Sequence, residues 1–472
     1  MKKWISAMGA VATAALLTAC GGGGSAGDGA TVDLSGSRGS LISTPITLAE
    51  LTPAAFQAAA PASLFQVAGA PKCTISFKYF QYGTVGAVGE KTMASGGIMV
   101  PSGTDAACQG PRPVLLYAHG TSTDKNKNMA SPQDGEAALI AAIFAAQGYI
   151  VVSPNYAGYE ASTLSYHPYL VADQQSKDMM DALAAARKSF ASIGANANSK
   201  LFVSGYSQGG HVALATVKAM QASGMTVTAS APMSGPYNLG FFGDTVFGAQ
   251  VNGGASLFTP LLNTAFQKAY GDIYTTPSQL YAPQFATGIE TLLPSTSSTA
   301  ALITAGKLPQ NDCMFEGASG YGFCTSGFLV NTSYRTAVLA DASANAGNPS
   351  TGTAPAAAHP LRRAAYRNAL MNFTLTTPSL FCGGSNDPTV FYSMNTTAAR
   401  GFFASQAVLP PQALVELNVD SSPTGPTDPF AAAKVGFGMA LAAAGTNAPA
   451  QYHGALVPPF CNAAARGFFA NF

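Results

Sequence analysis

One serine of this chain lies in a pattern typical of a catalytic nucleophile. Ser207 is the central residue of GYSQG at 205–209, with the apolar run LFVS directly before the motif and an alanine-rich helical stretch after it. In such a G-x-S-x-G motif the serine lies at a sharp strand-to-helix turn, and the glycines let strand and helix approach closely. The same pattern at 23–27 has no strand before it and is interpreted as a chance match. We predict that Ser207 is a nucleophile.

A nucleophilic serine needs a base to accept its proton and an acid to orient that base. In the fold that carries this motif, the acid follows a later strand and the histidine comes after it. Asp387 ends the turn GGSND after the apolar run SLFC, and the next residue, Pro388, disfavours continued regular structure. Asp387 is therefore the predicted acid, and Asp420, after the next predicted strand, is the alternative.

The base must be one of five histidines, which are His119, His167, His211, His359 and His453. Only His453 follows the last predicted strand, in the predicted loop QYHGALVPPFC that leads to a predicted closing helix at 462–472. His211 lies on the first turn of the helix after Ser207, so its side chain is expected to point elsewhere. We predict His453 as the base.

Hydrolysis through a serine also needs hydrogen-bond donors for the oxyanion. The segment YAHGT at 117–121 ends the first central strand, where this fold supplies one backbone N–H, and the residue after the nucleophile supplies the other. These donors are assigned to Thr121 and Gln208, while His119 is expected to be structural.

Composition excludes several other classes of function. Charged residues form 10% of the chain, against about 25% in a typical protein, and the formal net charge is +1. Nucleic acid is therefore not an expected partner. The chain has no Cys-x-x-Cys motif and no closely spaced histidine pair, so we expect no metal site and no cofactor. A neutral or apolar substrate fits this composition best.

Three short apolar runs, at 113–120, 148–156 and 200–207, are typical of strands buried on both faces. Predicted helices at 135–147, 173–190 and 209–222 alternate with them, which indicates a mostly parallel sheet flanked by helices. A hairpin at 74–100 precedes these strands. Further strands are predicted at 225–235, 378–387 and 413–420.

The strand rhythm is interrupted between 236 and 377, a segment rich in Pro, Gly, Ser and Tyr. This segment is too long and too apolar for a linker. We predict a core formed by 41–235 and 378–472, with 236–377 as an inserted cap. The cap holds ten apolar or aromatic residues that could line an acyl pocket or form its own core: Phe241, Phe242, Phe247, Leu257, Phe258, Leu261, Leu262, Tyr270, Tyr274 and Tyr281.

The first residues have the pattern of an export signal. Residues 1–19 combine two lysines, a short apolar run and small residues. Their last three residues and Cys20 form LTAC, which resembles the lipobox of bacterial lipoproteins. Cys20 is then the expected lipidation site, and 20–40 a flexible tether. No other apolar run reaches the roughly 18 residues of a spanning helix. We predict an exported monomer, lipid-anchored to a bacterial membrane, which would be the outer membrane in a Gram-negative host.

Six cysteines remain after Cys20, an even number that predicts disulfides in an exported protein. Six cysteines allow 15 pairings, and the sequence alone does not choose among them.

The chain resembles the bacterial and fungal secretory lipase family of α/β-hydrolases in four motifs: YAHGT at 117–121, GYIVVSPNYAGY at 148–159, HPYL at 167–170 and GYSQGGH at 205–211. The resemblance covers about 111–472 and implies an α/β-hydrolase fold with a cap inserted after the sixth strand. It departs at Asn155, where the family often has Asp. His167 and Tyr169 match the HPYL loop and are interpreted as loop-positioning residues, with substrate contact as the alternative.

In the proposed fold we predict three disulfides. Cys73 and Cys108 enclose the hairpin, and Cys313 and Cys324 flank a glycine-rich loop of the cap. Cys382 ends the strand before Asp387, and Cys461 follows the His453 segment, so the third bridge would join the segments of acid and base.

The resemblance implies hydrolysis of small-molecule or lipid esters through an acyl-enzyme on Ser207. One alternative is an exported serine aminopeptidase of the same fold, with Glu290 and Glu316 as candidates to bind a substrate ammonium group. The other alternative is a surface lipoprotein that uses the fold for binding only.

The lipobox pattern predicts that Cys20→Ser abolishes acylation and leaves the protein unanchored. Mass spectrometry of the N-terminal peptide should find the lipid on wild-type Cys20 and none on the variant. An unmodified Cys20 in wild-type protein from a host that acylates lipoproteins would contradict the lipoprotein prediction.

Overall fold

The computed structural model describes residues 36–472, in which nine strands form one mixed sheet in the order β1-β2-β3-β5-β4-β6-β7-β10-β11. Strands β1 to β3 are antiparallel and β3 pairs antiparallel with β5, whereas every pair from β5 to β11 is parallel. The predicted parallel sheet is confirmed. The strands are β1 (Leu41–Leu51), β2 (Thr74–Val85), β3 (Lys91–Ser102), β4 (Arg112–Ala118), β5 (Ile150–Pro154), β6 (Ala197–Tyr206), β7 (Ala229–Met233), β8 (Phe315–Glu316), β9 (Phe323–Cys324), β10 (Ser379–Gly383) and β11 (Leu414–Asn418).

Helices cover both faces of this sheet. The helices are α1 (Pro53–Ala59), α2 (Ala62–Ala68), α3 (Gly135–Ile143), α4 (Ala172–Ser189), α5 (Gln208–Ala222), α6 (Leu239–Gly248), α7 (Ala255–Tyr270), α8 (Pro277–Leu280), α9 (Pro283–Ala286), α10 (Thr299–Thr304), α11 (Thr332–Ala344), α12 (Pro360–Arg367), α13 (Ala398–Ser405), α14 (Ala431–Ala444), α15 (Ala448–Gln451) and α16 (Val457–Phe469). Helices α2, α3 and α16 contribute to the core on one face, and α4, α5 and α13 to the core on the other.

The central strands are apolar throughout because both of their faces are buried. In β4, Leu115 belongs to the core beneath α3 and α16, while its neighbours Val114 and Leu116 belong to the core beneath α4 and α5. Successive side chains of a strand point to opposite faces. A strand between two helical layers therefore needs apolar residues at every position, which explains the continuous runs in the sequence.

Strand β1 lies inside the predicted core at 41–235, but its residues were not predicted as a strand. β1 is an edge strand paired antiparallel with β2, and most of its side chains are partly or fully exposed. Residues 36–40, included in the predicted tether, also contact the core: Arg38 Nε lies 3.0 Å from Asp181 Oδ2, and Gly39 N–H bonds Gly83 O at 2.9 Å. Residues 1–35, with the predicted signal and Cys20, lie outside the described residues.

The segment 236–377 adds no strand to the nine-stranded sheet in the part of the chain that the structure describes. It follows β7, which is the sixth strand when counting starts at β2, and it consists of α6 to α12 with the small pair β8 and β9. Its helices bury an apolar cluster that also includes residues 169–171, just before α4. Arg362, only 2% exposed, pairs with Asp244 at 2.7 Å and Asp341 at 2.6 Å. A buried guanidinium needs such partners, because an unpaired buried charge is strongly destabilising.

No helix of residues 36–472 is long and apolar enough to span a bilayer. No group of three or more His, Cys, Asp or Glu side chains in the same residues could hold a metal ion.

The three disulfides of the structure join Cys73 to Cys108, Cys313 to Cys324 and Cys382 to Cys461. These are the predicted pairs. The third connects β10 to α16 across 79 residues, so two distant segments are fixed to each other at the side of the sheet that holds Asp387.

Removing the Cys382–Cys461 bridge by a double serine substitution should destabilise the fold more than removing Cys313–Cys324. The chain-entropy model gives about 4.5 kcal/mol for the longer loop and about 2.8 kcal/mol for the shorter one. Urea unfolding of the two double variants and the wild type measures the difference. Equal stability of the Cys382→Ser/Cys461→Ser variant and the wild type would contradict a structural role for this bridge.

Candidate active site

Ser207 occupies the turn between β6 and α5 with φ 60° and ψ −123°. A positive φ is uncommon for a residue other than glycine and needs support from its surroundings. The support is close backbone packing: a Cβ on Gly209 would lie 2.0 Å from Ala118 O, and one on Gly205 would lie 2.2 Å from Gly209 O. Both positions therefore require glycine, as the G-x-S-x-G motif predicts.

The structure brings Ser207, His453 and Asp387 within hydrogen-bond distance of one another. His453 Nε2 lies 2.7 Å from Ser207 Oγ, and His453 Nδ1 lies 2.6 Å from Asp387 Oδ2. Because a carboxylate only accepts, Nδ1 carries the proton and Nε2 is left to accept the proton of the serine hydroxyl. This arrangement can generate a serine nucleophile.

Asp387 is fixed by two further hydrogen bonds. Its other oxygen, Oδ1, accepts from the N–H groups of Thr389 at 2.8 Å and Val390 at 3.1 Å. The residue is 5% exposed. The carboxylate is thus oriented from the turn that follows β10, with Oδ2 directed to the imidazole.

The segment around His453 differs from the predicted loop because it is helical. His453 lies in a π-helical turn, Tyr452–Leu456, between α15 and α16, and α16 begins at Val457 instead of 462. Pro458 and Pro459 lie in the first turn of α16, where proline is tolerated. The carbonyl of His453 accepts from Tyr206 Oη at 2.7 Å.

The predicted oxyanion donors lie on two segments beside the nucleophile. A Cβ built on Gly120 would be 3.7 Å from Ser207 Cβ, so the loop of Thr121 passes next to Ser207. Gly120 N–H is occupied, because it donates to Glu136 Oε1 at 2.9 Å. Gln208 begins α5, where the first N–H groups have no intrahelical acceptor and the helix dipole favours negative charge. The assignment of Thr121 and Gln208 stays a prediction.

Two buried histidines support these segments. His119 contacts Gly120 O at 2.6 Å and Asn155 O at 3.1 Å. His167 Nδ1 contacts Ala157 O at 2.9 Å, and its Nε2 lies 2.6 Å from the side-chain nitrogen of Gln208. Burial lowers the pKa of His167 to about 3. The neutral ring therefore donates through Nδ1 and accepts the Gln208 amide through Nε2, which ties the HPYL loop to the start of α5.

Tyr169 and Asn155 also hold loops near Ser207 in place. Tyr169 Oη lies 2.9 Å from Thr121 Oγ1, so the HPYL loop contacts the predicted oxyanion loop directly. Asn155, where the secretory lipase family often has Asp, accepts from Met129 N–H at 2.7 Å and donates to Ser95 Oγ at 2.9 Å. An amide that donates and accepts fits this position, because one partner is a donor and the other can accept.

A cavity with about 910 Å³ of space, part of it open to solvent, begins at Ser207 and extends between the helices of the 236–377 segment. Four of the ten aromatic and apolar residues singled out in the sequence line it: Phe242, Phe247, Phe258 and Leu262. Others, such as Leu261, Tyr274 and Tyr281, are buried in the core of that segment. The charged lining groups are paired, since Asp244 accepts from Arg362 and from Tyr366 Oη.

The two glutamates considered for an ammonium site do not line this cavity. Glu290 accepts from Tyr274 Oη at 3.0 Å, and Glu316 accepts from Thr332 Oγ1 at 2.5 Å. Neither carboxylate is thus placed to bind a substrate amine next to Ser207.

Comparison with known proteins agrees with this architecture. Residues 128–228, which include β5, α4, β6, Ser207 and α5, match the family model described as secretory lipase. The search of curated proteins finds no match.

Among solved structures, the ligand-bound rice cell wall degrading esterase LipA from Xanthomonas oryzae is 26% identical, with a TM-score of 0.71 over 92% of this chain and 98% of that one. The ligand-free LipA structure matches with the same values. A protein from Legionella pneumophila matches with 17% identity and a TM-score of 0.66, over 91% of this chain and 97% of that one, and shows the fold alone. The predicted α/β-hydrolase fold is confirmed.

The geometry predicts that a fluorophosphonate probe labels Ser207 and that labelling depends on His453. His453→Ala should slow labelling roughly 10²- to 10⁴-fold, because the base no longer accepts the hydroxyl proton. The rate is measured by mass spectrometry of the active-site peptide over time.

His211→Gln is the matched control for this experiment. His211 is fully buried on α5, and its Nε2 donates to Asn368 O at 2.8 Å. The variant should lose stability and keep the wild-type labelling rate. A rate that depends on His211 and not on His453 would contradict the assignment of the base.

Proposed function

We propose that this α/β-hydrolase is an exported serine hydrolase of neutral carboxylic esters. Residues 128–228 match the secretory lipase family model, which supports this proposal. The observation that carries the proposal is the continuous path from Asp387 through His453 to Ser207, with contacts of 2.6 and 2.7 Å. The apolar cavity that begins at Ser207 supports an acyl group as the part of the substrate held there.

The first half of the reaction is acylation. Ser207 Oγ attacks the ester carbonyl while His453 Nε2 takes the hydroxyl proton, and Asp387 stabilises the imidazolium that forms. The N–H groups of Thr121 and Gln208 are proposed to bind the oxyanion. His453 then passes the proton to the leaving alcohol, and the acyl group remains on Ser207.

The second half is deacylation by water. His453 takes a proton from the attacking water, a second tetrahedral intermediate forms at the same oxyanion site, and the proton returns to Ser207 as the acid leaves. Every step uses groups of this chain and water. No cofactor enters the mechanism.

Two features support export. The sequence pattern at 1–20 is that of a lipoprotein signal, and the structure holds three disulfides, which persist in oxidising compartments. We propose that the enzyme is anchored through lipid on Cys20 and acts outside the cytoplasm.

The paired charges of the cavity favour an ester over an aminoacyl substrate. Free cationic amines are best bound by an unpaired carboxylate, and the lining carboxylate of Asp244 is already bonded to Arg362 and Tyr366. The same triad in an aminopeptidase would need such an acid next to Ser207.

The proposal predicts that wild-type protein hydrolyses p-nitrophenyl butyrate and leaves aminoacyl anilides intact. Ser207→Ala should lower ester turnover roughly 10⁴-fold or more, because triad residues act as a unit. Ser223→Ala, at the other end of α5, is the control and should keep wild-type turnover. Cleavage of anilides by the wild type, or full turnover by a folded Ser207→Ala protein, would overturn the proposal.

A further inference from the structure

The side chain of Asp420 links the segment of the proposed base, His453, to the segment of the proposed acid, Asp387. Oδ2 of Asp420 accepts from Tyr452 Oη at 2.5 Å and from Asn386 Nδ2 at 2.7 Å. Tyr452 precedes His453 and Asn386 precedes Asp387 in the chain. Asp420, the alternative acid of the sequence analysis, thus contacts both segments without contacting His453.

The Tyr452 side chain is held on several sides. It is 4% exposed, and its ring packs edge to face on Phe437 with centroids 5.5 Å apart. Its Oη also accepts from Asn386 N–H at 3.2 Å. A Cβ on Gly384 would lie 2.4 Å from this oxygen, so the turn after β10 needs glycine for Tyr452 to approach.

The direction of the hydrogen bond between Tyr452 and Asp420 follows from burial. Burial and the bond to Asp420 raise the pKa of Tyr452, so the phenol stays protonated and donates. A charge-assisted O–H to carboxylate bond is short and stronger than a neutral one. The observed 2.5 Å agrees with such a bond.

We propose that Asp420 and Tyr452 form a positioning pair that keeps His453 at hydrogen-bond distance from Asp387. The inference rests on the proposed function, because it concerns the same acid and base. These two are 66 residues apart in the chain, and they must be held to within a few tenths of an ångström. Neither member of the pair touches the reacting atoms or lines the cavity at Ser207.

Other contacts hold the same segments from different sides. Tyr206 Oη bonds the carbonyl of His453, and the Cys382–Cys461 bridge joins β10 to α16. Neither links the turn of Asp387 to the residue next to His453. The bond from Asn386 N–H to Tyr452 Oη supplies that link directly, and Asp420 reinforces it from a third segment, the turn after β11.

The test measures kcat and KM with p-nitrophenyl butyrate for Asp420→Ala, Tyr452→Phe and the double variant. Each single variant should lose roughly 10- to 100-fold in kcat, since a displaced imidazole transfers the proton poorly. KM should stay within about twofold, because no substrate contact is removed. The double variant should lose less than the product of the two single losses, as expected for residues that share one hydrogen bond.

Two conservative variants separate positioning from general stability. Asp420→Asn keeps an oxygen that accepts from Tyr452 and should recover most of the kcat lost in Asp420→Ala. Tyr392→Phe removes a similar partly buried bond, from Tyr392 Oη to Glu416 at 2.9 Å, which joins the segment after β10 to β11. It should lower the melting temperature as Tyr452→Phe does and leave kcat unchanged.

Wild-type kcat in folded Tyr452→Phe and Asp420→Ala proteins would overturn the inference, as would equal kcat losses in Tyr452→Phe and Tyr392→Phe. Should Asp420→Ala not fold, Tyr452→Phe decides alone, because it keeps the ring that packs on Phe437. Failure of the proposed function looks different: the wild type itself would show no ester turnover that depends on Ser207.

Discussion

At Ser207 the backbone takes a conformation that serine adopts only where its surroundings hold it. Gly205 at the end of β6 has no room for a Cβ against the start of α5, and Gly209 of α5 has none against Ala118 at the end of β4. Ser207 N–H donates to Met233 O at 2.9 Å, which ties the turn to the end of β7. The strained turn is therefore a product of three parallel strands in register, and the position of the nucleophile depends on the central sheet as a whole.

The sequence contains the central sheet in a form that can be recognised. Strands such as β4 and β6 lie between two helical layers, so burial on both faces produces uninterrupted apolar runs. β1 has no such signal, because it is an edge strand with Pro45 inside it and polar or exposed side chains along most of its length. Because β1 has no apolar run, its sequence pattern does not predict a strand.

The candidate site could be predicted only as far as chain order and local motifs reach. Ser207 is marked by its motif, and Asp387 and His453 by the strands that they follow. The π-helical turn that carries His453 has no pattern in the sequence that distinguishes it from a loop. The contacts of Tyr206, Asp420 and Tyr452 arise from segments far apart in the chain, and no residue pattern near any of them signals the contact.

The charged groups in the wall of the cavity neutralise one another. Arg362 lies in its wall with almost no exposure and would repel or attract substrates strongly if it were alone. Asp244 and Asp341 bind it from two helices, α6 and α11, and so both neutralise the charge and join those helices to α12. Since a buried ion pair is rarely a net gain in stability over apolar packing, its contribution here is a fixed arrangement of helices around the opening at Ser207.

The proposed nucleophile and base are separated by 246 residues, and the acid lies 66 residues before the base. During synthesis, Ser207 leaves the ribosome long before His453 has been made. A chain of that intermediate length carries the serine without a partner to accept its proton, and such a hydroxyl is a weak nucleophile. His453 therefore cannot accept the proton of Ser207 before the β10, β11 and α16 segments have been synthesised and folded.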